Sequence, residues 1–438
     1  MLERAPLRGL YQTAMGLALL VAGPLLLARR GRHYLKTLPG RLGRGAAEEP
    51  AAAGGLWLHA VSVGEVAVAA TLARALPPEL PLVVTTVTPT GQARAREAFA
   101  GRAAVAYLPF DLGFAVRRFF DRFRPGALVL VEGDYWPLVL AEARRRGLPV
   151  AVVNGRVGNR SFGRMRRLAP LARRLLAGVD LYGVQDAEDR RRLAALGVPK
   201  ERVRVTGNLK FEAAEPPLDP ALAAQVRQLA ADRAVLLAGS TMAGEEGKVL
   251  AAFEHAGGGT RALLVLAPRH PERWGEVDAL LTSWAQTRGA AHVRRSRLAA
   301  SPLTPPSSPA VLLLDSLGEL AGLYRLAAAA FIGGTLVATG GHNPLEPARF
   351  GVPLAVGPSL HNFRDVAERF DRASAWRRVA DAAELGEVWR GWLDDPAEAA
   401  RQGHRGRALV EANRGALART LELLAPVLAT LPPGPATA

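Results

Sequence analysis

The chain has 438 residues, 49% hydrophobic and 22% charged, which suits two or three globular domains and excludes a disordered, collagenous or coiled-coil protein. It has no cysteine, so disulfides, thiolate metal sites and cysteine nucleophiles are excluded. Fifty-six basic against 40 acidic residues give a net charge of +16. Only Lys36, Lys200, Lys210 and Lys248 among the basic residues are lysines, and so large a surplus of planar arginine forks points to an anionic partner.

Residues Ala14 to Ala28 form a 15-residue apolar run behind Arg4 and Arg8. As a helix it would reach about 22 Å, against a hydrocarbon core of about 30 Å. Gly23 and Pro24 interrupt it, and Arg29, Arg30 and Arg32 follow in place of a small-residue cleavage site, which counts against a signal peptide. Basic flanks suit anionic headgroups at a cytoplasmic face, so a membrane-associated helix is expected. A buried core helix or a marginal spanning helix are the alternatives. Gly43 to Gly55 reads as a flexible connection.

From Leu56 onward short apolar runs alternate with helical patterns. Strands are expected at 56–61, 82–87, 127–131, 149–153, 181–184 and 203–206, with helices between them such as Val66–Ala75 and Thr90–Phe99. The pattern breaks at the proline-rich Ala213–Pro220 and restarts with strands at 234–238, 262–267, 310–314, 329–332 and 353–356. Ser301–Pro309 reads as a surface loop. The expected architecture is α/β, with two doubly wound, Rossmann-like domains facing a cleft and ligands at the carboxyl ends of the strands. The domain limits follow as 1–50 for anchor and linker, 51–212 and 213–425 for the two domains, and 426–438 for a flexible tail.

In the first half, Trp57-Leu-His-Ala-Val-Ser-Val-Gly-Glu65 runs from a strand through a tight turn at Ser62 and Gly64 into a helix. A carboxylate in a first turn is favoured by the helix dipole, so Glu65 is either a helix-start residue or a general base at a strand end. His59, inside the strand, reads as a satisfied core histidine. Val131-Glu-Gly-Asp-Tyr-Trp-Pro137 repeats the strand–turn–helix pattern; Glu132 and Asp134 can perturb each other's pKa, or Asp134 can cap a helix. An arginine belt of Arg156, Arg160, Arg164, Arg166, Arg167, Arg173 and Arg174 has no acid between Gly155 and Val179. It is either a solvated face or the docking place of an acidic partner such as a phosphorylated acceptor, lipid headgroups or nucleic acid. Phe162 alone interleaves it, which counts against stacking on single-stranded nucleic acid.

In the second half, Gly239, Ser240 and Thr241 are expected to form a turn whose amides and hydroxyls cradle a phosphate, before a helix bearing Glu245 and Glu246. Ala267-Pro-Arg-His-Pro-Glu-Arg273 places Arg269 and His270 at the next strand's end. Phe331-Ile-Gly-Gly-Thr335 and Gly340-Gly-His-Asn-Pro-Leu-Glu346 offer amides at Gly334 and Thr335, a cap at Asn343 and a carboxylate for ribose at Glu346. No lysine follows these glycines in Walker fashion, which argues against an ATPase.

This ordered set resembles the Kdo transferases, which attach 3-deoxy-D-manno-oct-2-ulosonic acid (Kdo) to lipid A precursors. The resemblance runs through Ser62-Val-Gly-Glu65, Asn154, Ser161, Gly207-Asn-Leu-Lys-Phe211, Gly239-Ser-Thr241, Arg269-His-Pro-Glu-Arg273, Gly318-Glu-Leu320 and Gly340-Gly-His-Asn-Pro-Leu-Glu346 to the region of Asn362. It implies a GT-B glycosyltransferase with an acceptor-binding first domain and a CMP-sugar-binding second, whose last helix crosses back to the first. It further implies CMP-Kdo as donor, inversion at the anomeric carbon, no metal and no other cofactor. Glu65 matches the family's general base, acting on the 6′-hydroxyl of a lipid IVA-type acceptor. Gly239, Ser240, Thr241, Arg269, Gly334, Thr335 and Asn343 would hold the nucleotide and its phosphate, and Glu346 the ribose. Ser62, Gly64, Glu132, Arg156 and Lys210 would lie toward the acceptor or the sugar. Anionic lipids of the inner membrane become the expected partner of anchor and belt, with the catalytic domains on the cytoplasmic side and no nucleic acid.

The chain departs from the family's Glu-Thr-Glu-Leu-Trp-Pro at Glu132-Gly-Asp-Tyr-Trp-Pro137, and from its Ala-Arg-hydrophobic-Ser-Glu-Arg-Ser at Gly155-Arg-Val-Gly-Asn-Arg-Ser161. Both departures are in the acceptor half. Two rival readings are a GT-B-fold nucleotide-sugar epimerase such as a UDP-N-acetylglucosamine 2-epimerase, which shares the glycine and glutamate signatures of the second half, and a non-enzymatic nucleic-acid binder, which accounts for the charge but not for the paired glycine-rich turns.

Overall fold

The computed structural model describes residues 32–43, 53–212, 216–298 and 310–432, with 9, 11–13, 15–17 and 21 before them. Most of the Ala14–Ala28 run, the Ser301–Pro309 loop and residues 433–438 lie outside the described residues. Among the described residues no helix is long and apolar enough to cross a membrane. The chain divides into two compact units, Met1–Ala213 with Asn413–Ala438, and Ala214–Ala412.

The first unit holds a parallel sheet of seven strands: β1 (Leu56–His59), β2 (Leu82–Thr86), β3 (Ala104–Tyr107), β4 (Ala127–Val131), β5 (Val150–Gly155), β6 (Leu181–Val184) and β7 (Val203–Val205). Their order is β3-β2-β1-β4-β5-β6-β7. Four of the five inner strands, β1, β2, β4 and β5, are buried along their whole length, because helices cover both faces of a parallel sheet. That double burial is why they read as unbroken apolar runs. One face is filled by Trp57, which meets Phe119 at 4.5 Å and Phe120 at 5.3 Å between ring centroids. Before the sheet, a short helix Arg32–Arg41 ends on Arg41, whose guanidinium donates to the Val87 carbonyl at 2.7 Å and lies over the Tyr107 ring at 4.4 Å.

The second unit repeats the plan with β8 (Ala234–Thr241), β9 (Ala262–Pro268), β10 (His292–Arg294), β11 (Val311–Leu313), β12 (Ala329–Ile332), β13 (Leu354–Val356) and β14 (Arg377–Arg378). The order is β10-β11-β9-β8-β12-β13-β14, again all parallel. Leu236, Phe253, Leu264, Phe331 and Trp389 share its core.

Three features differ from the sequence expectations. Strands β3, β10 and β14 were not foreseen, and all three are sheet edges with partly covered or exposed side chains. The last helix, Ala416–Leu428, belongs to the first unit as the crossing-back expectation had it, burying Leu423, Leu424 and Val427 there, so the second unit ends at 412 and not at 425. That helix also takes in 426–428 of the expected flexible tail. Finally, Gly239–Thr241 is no turn: β8 runs through it, with a bulge between Gly239 and Thr241 and Ser240 in the left-handed region at φ 56°.

Candidate functional site

In a doubly wound sheet, polar groups meet where the strand order reverses, outside the carboxyl ends of the two central strands. In the first sheet these strands are β1 and β4, and the chain leaving them carries Glu65 and Glu132. Ser62 caps the helix Val63–Arg74, and Ser62 with Glu65 has capping-box spacing. The Glu65 carboxylate reaches back past the cap, with Oε2 accepting from Val61 N–H at 2.8 Å and Oε1 from the Ser62 hydroxyl at 2.8 Å. It is 8% exposed. Burial pushes its carboxyl up to about 7, the charges of Glu132 and Asp134 add to this, and the Val61 amide and Ser62 hydroxyl oppose it. A carboxyl so tuned exchanges a proton near neutrality, as a general base must.

Glu132 and Asn154 both adopt left-handed backbone, at φ 63° and φ 54°. Such conformations cost about 1–3 kcal/mol each and persist only where surrounding contacts hold them. Here the contacts are polar: Lys210 Nζ lies 2.8 Å from Glu132 Oε1, and Asn154 Nδ2 donates to the same oxygen at 3.3 Å. Asn154 Oδ1 accepts from Leu209 N–H at 2.9 Å, and Gln185 joins the Asn154 carbonyl to Asn208. Asn154, Gln185 and Asn208 are buried, so a satisfied polar layer supports Lys210 from beneath. A Cβ placed on Gly64 would lie 3.9 Å from Lys210 Nζ, which sets the ammonium beside the turn that carries Glu65. Ser62, Gly64, Glu65, Glu132 and Lys210 therefore come together; Arg156 joins them through its backbone, donating to the Glu132 carbonyl at 3.2 Å.

His59 is a satisfied core residue. Its Nδ1 is 2.9 Å from Thr85 Oγ1, Trp136 Nε1 donates to its Nε2 at 3.2 Å, and burial pushes its pKa down to about 4. Asp134 caps nothing. The amides opening the helix Pro137–Arg145 go to Asp111, whose buried carboxylate accepts from Leu138 and Val139 at 3.0–3.1 Å and from the Tyr11 hydroxyl at 2.7 Å. Asp111 precedes that helix by more than twenty residues, so no local spacing announces it. Arg160 to Arg174 of the belt lie on two helices after β5, Asn159–Arg167 and Ala169–Leu176, and Arg156 lies on the segment leading into them. Leu168 and Leu171, 59% and 45% exposed, stand among its arginines.

The second sheet reverses between β8 and β12. Two glycines permit close approach there, Gly333 that of strand β8 and Gly239 that of the Tyr324 side chain. A Cβ on Gly333 would meet Ser240 O at 2.2 Å, and one on Gly239 would meet Tyr324 Oη at 1.9 Å. Beyond the strands, Asn343 Nδ2 donates to Glu346 Oε1 at 3.2 Å, and Asn343 Oδ1 accepts from Leu345 N–H at 3.1 Å. Burial pushes the Glu346 carboxyl up, while Asn343, Arg349 and Arg269 favour its charge. Arg269 also acts on His342, whose pKa is pushed down to about 4 by burial, then by the charges of Arg269 and His270. Arg269, His342, Asn343 and Glu346 thus form one cluster. His342 stands inside the glycine-rich motif, but sequence reasoning had given it no role.

Most groups of the expected phosphate cradle already have partners within the protein. The amides of Gly334, Thr335 and Leu336 already donate to a protein carboxylate, Glu245, at 2.6, 3.0 and 2.9 Å. The Thr335 hydroxyl donates to the Ile332 carbonyl and accepts from Gly357 N–H at 2.8 Å. Thr241 donates to Glu246 at 3.0 Å, and Arg273 pairs with the same carboxylate at 2.7 and 3.1 Å. Gly239 serves packing. Of the expected phosphate ligands, the Ser240 hydroxyl and the exposed Arg269 guanidinium are engaged by no hydrogen bond or ion pair among the described residues. Among those residues, too, no group of three or more His, Asp or Glu side chains is placed to hold a metal ion.

Two Rossmann-like units, each with polar side chains gathered at its switch point, define a protein of the GT-B fold class. The fold is similar to that of the calicheamicin glycosyltransferase CalG4, with a TM-score of 0.50 at 14% identity over 86% of this chain and 99% of that one. The C-terminal CMP-Kdo binding domain of WaaA from Acinetobacter baumannii matches at 31% identity and a TM-score of 0.39, over 44% of this chain and 97% of that one. The family model described as 3-Deoxy-D-manno-octulosonic-acid transferase (kdotransferase) matches residues 36–213. A 3-deoxy-D-manno-octulosonic acid transferase of Bordetella pertussis is 36% identical over 95% of this chain and 98% of its own. The chain belongs to the 3-deoxy-D-manno-octulosonic acid transferase family and is a glycosyltransferase. The epimerase and nucleic-acid readings fall with that assignment.

Proposed function

We propose that the chain transfers Kdo from CMP-Kdo to the 6′-hydroxyl of a lipid IVA-type acceptor, in lipopolysaccharide core synthesis at the inner membrane. The observation that carries this reading is the buried Glu65 carboxyl, poised near 7 at a switch point beside the Glu132–Lys210 pair. Glu65 takes the proton of the acceptor hydroxyl. The freed oxygen then bonds to the anomeric carbon of Kdo as the bond to the CMP phosphate breaks on the opposite face, which inverts that centre. The leaving phosphate needs positive charge and donors that develop no reorganisation cost, and Arg269 with the Ser240 hydroxyl supplies them without a metal. Glu346, oriented by Asn343, accepts from ribose hydroxyls. Lys210 steadies a carboxylate or phosphate of the substrates.

The acceptor class follows from the belt. A run of arginines from Arg160 to Arg174 with no acid among them in the sequence suits phosphates on a lipid, and Leu168 and Leu171 among them suit the acyl boundary of an anionic membrane on the cytoplasmic side. The test is a transfer assay with CMP-Kdo generated in situ and a tetraacyl lipid A precursor, read by mass spectrometry. A product heavier by one or more Kdo residues is expected; CMP binding without any product would sink the acceptor assignment.

A further inference from the structure

Glu245 and Glu246 open the helix Glu246–His255 side by side, and both are buried, at 0% and 2% exposure. They face different strand ends. Glu246 holds Thr241 at the end of β8 and Arg273 beyond β9, while the Thr241 carbonyl accepts from Arg269 N–H at 3.0 Å. Glu245 holds the turn after β12. Its Oε1 accepts from Thr335 and Leu336, and its Oε2 from Gly334 at 2.6 Å and from Met242 at 2.9 Å. Four backbone donors converge on one carboxylate, and each is stronger for the acceptor's charge.

The Gly334 residue is then fixed on both sides. Its N–H is held by Glu245, and its carbonyl accepts from Gly341 N–H at 2.8 Å and from the Thr339 hydroxyl at 3.0 Å. Gly341 leads directly into His342, Asn343 and Glu346. A Cβ on Gly334 would also lie 3.1–3.2 Å from the His342 ring, so the same residue is the floor on which that ring rests. Neutralising Glu245 would leave N–H groups facing a weaker acceptor, or an amide's own N–H, and the glycine turn would be free to rotate. We propose that Glu245 is a positioning residue for the sugar nucleotide: its charge holds the Gly334–Leu336 amides and thereby sets His342, Asn343 and Glu346. The inference rests on the assignment of the donor site to the second unit.

The test compares wild type with Glu245→Gln, measuring CMP affinity by calorimetry and the KM of CMP-Kdo and of the lipid acceptor separately. Both proteins are assayed well below their unfolding midpoints. A merely structural role lowers the active fraction, and so the maximal rate, without moving the donor KM. Positioning raises the donor KM and the CMP Kd at least tenfold, with the acceptor KM within twofold. Glu245→Asp, which keeps the charge but retracts it, is expected to fall between the two proteins, and it stands in with the same criteria if Glu245→Gln does not fold. An unchanged donor KM and CMP affinity in a folded variant would overturn the proposal, whatever the maximal rate does. Failure of the wild type itself to bind CMP would overturn the donor assignment instead.

Discussion

Glu65 fills a structural position, and in the proposed mechanism a chemical one as well. Its place at a helix start was legible, and so was the alternative of a base; the proposal of a base rests on the 8% exposure and the neighbouring acids, which come from the exit of β4 and not from its own segment. The shift has a sign that can be checked. The folded carboxyl titrates near 7 against an ordinary 4.5, so the folded state keeps a proton that the unfolded state has released between those values. Stability from this group is full below pH 4.5 and is lost as pH rises through 7, by up to about 3 kcal/mol. Glu65→Gln removes that dependence. Relative to the variant, wild type is expected to lose stability between pH 5 and pH 8 in chemical denaturation, and parallel curves would contradict the burial argument. In the transfer assay wild-type kcat/KM should fall about tenfold per pH unit below 7, as expected of one essential base. Glu65→Gln should lose about 100-fold or more in rate with CMP affinity within twofold. Wild-type-like transfer by the variant would remove Glu65 from the chemistry.

Strands, helices and turns divide by how much of their surroundings is local. The inner strands were readable because burial on both faces demands apolar residues at every position. Edge strands carry no such demand: His292-Val-Arg294 and Arg377-Arg378 take their place from a neighbour's backbone, and Ala104–Tyr107 is only half covered. The glycine signatures were visible, but the close contacts made at them were not. Gly239 and Gly333 allow the close approach of Tyr324 and of Ser240. Gly333→Ala would place a methyl 2.2 Å from a backbone oxygen and force β8 and β12 apart. A loss of about 2 kcal/mol or more is expected in urea unfolding, with weakened CMP binding. Gly247→Ala, on a helix with open space around it, should be neutral or stabilising by up to about 1 kcal/mol. Equal effects at the two positions would show that close strand approach is not what Gly333 provides.

The chain leaves its first unit after Ala213 and returns at Asn413, so the first unit is completed only by the last residues described. Leu424, Val427 and Leu431 share a core with Leu56, Leu58 and Val129, and Leu423 packs where Gly183 leaves room. The Asn413 side chain accepts from Asn208 N–H at 3.1 Å, which joins the returning segment to the polar layer under Lys210. Deleting 413–438 uncovers several large apolar side chains worth about 1.5–3 kcal/mol each. The expected result is loss of the first unit's cooperative unfolding transition and of transfer, while the second unit still binds CMP. Retention of both transitions would mean that the returning helix is dispensable. By itself the sequence determined the alternation of strand and helix, the break near 213 and the ordered motifs, because each depends on a few neighbouring residues or on burial that every position reports. Only the tertiary structure decided which polar groups remain free. The amides of Gly334 to Leu336 answer to a carboxylate about ninety residues earlier, and the helix opening at Pro137 to an aspartate on another strand's exit. A hydrogen bond is made by proximity in space, and proximity between distant segments exists only once both sheets have formed.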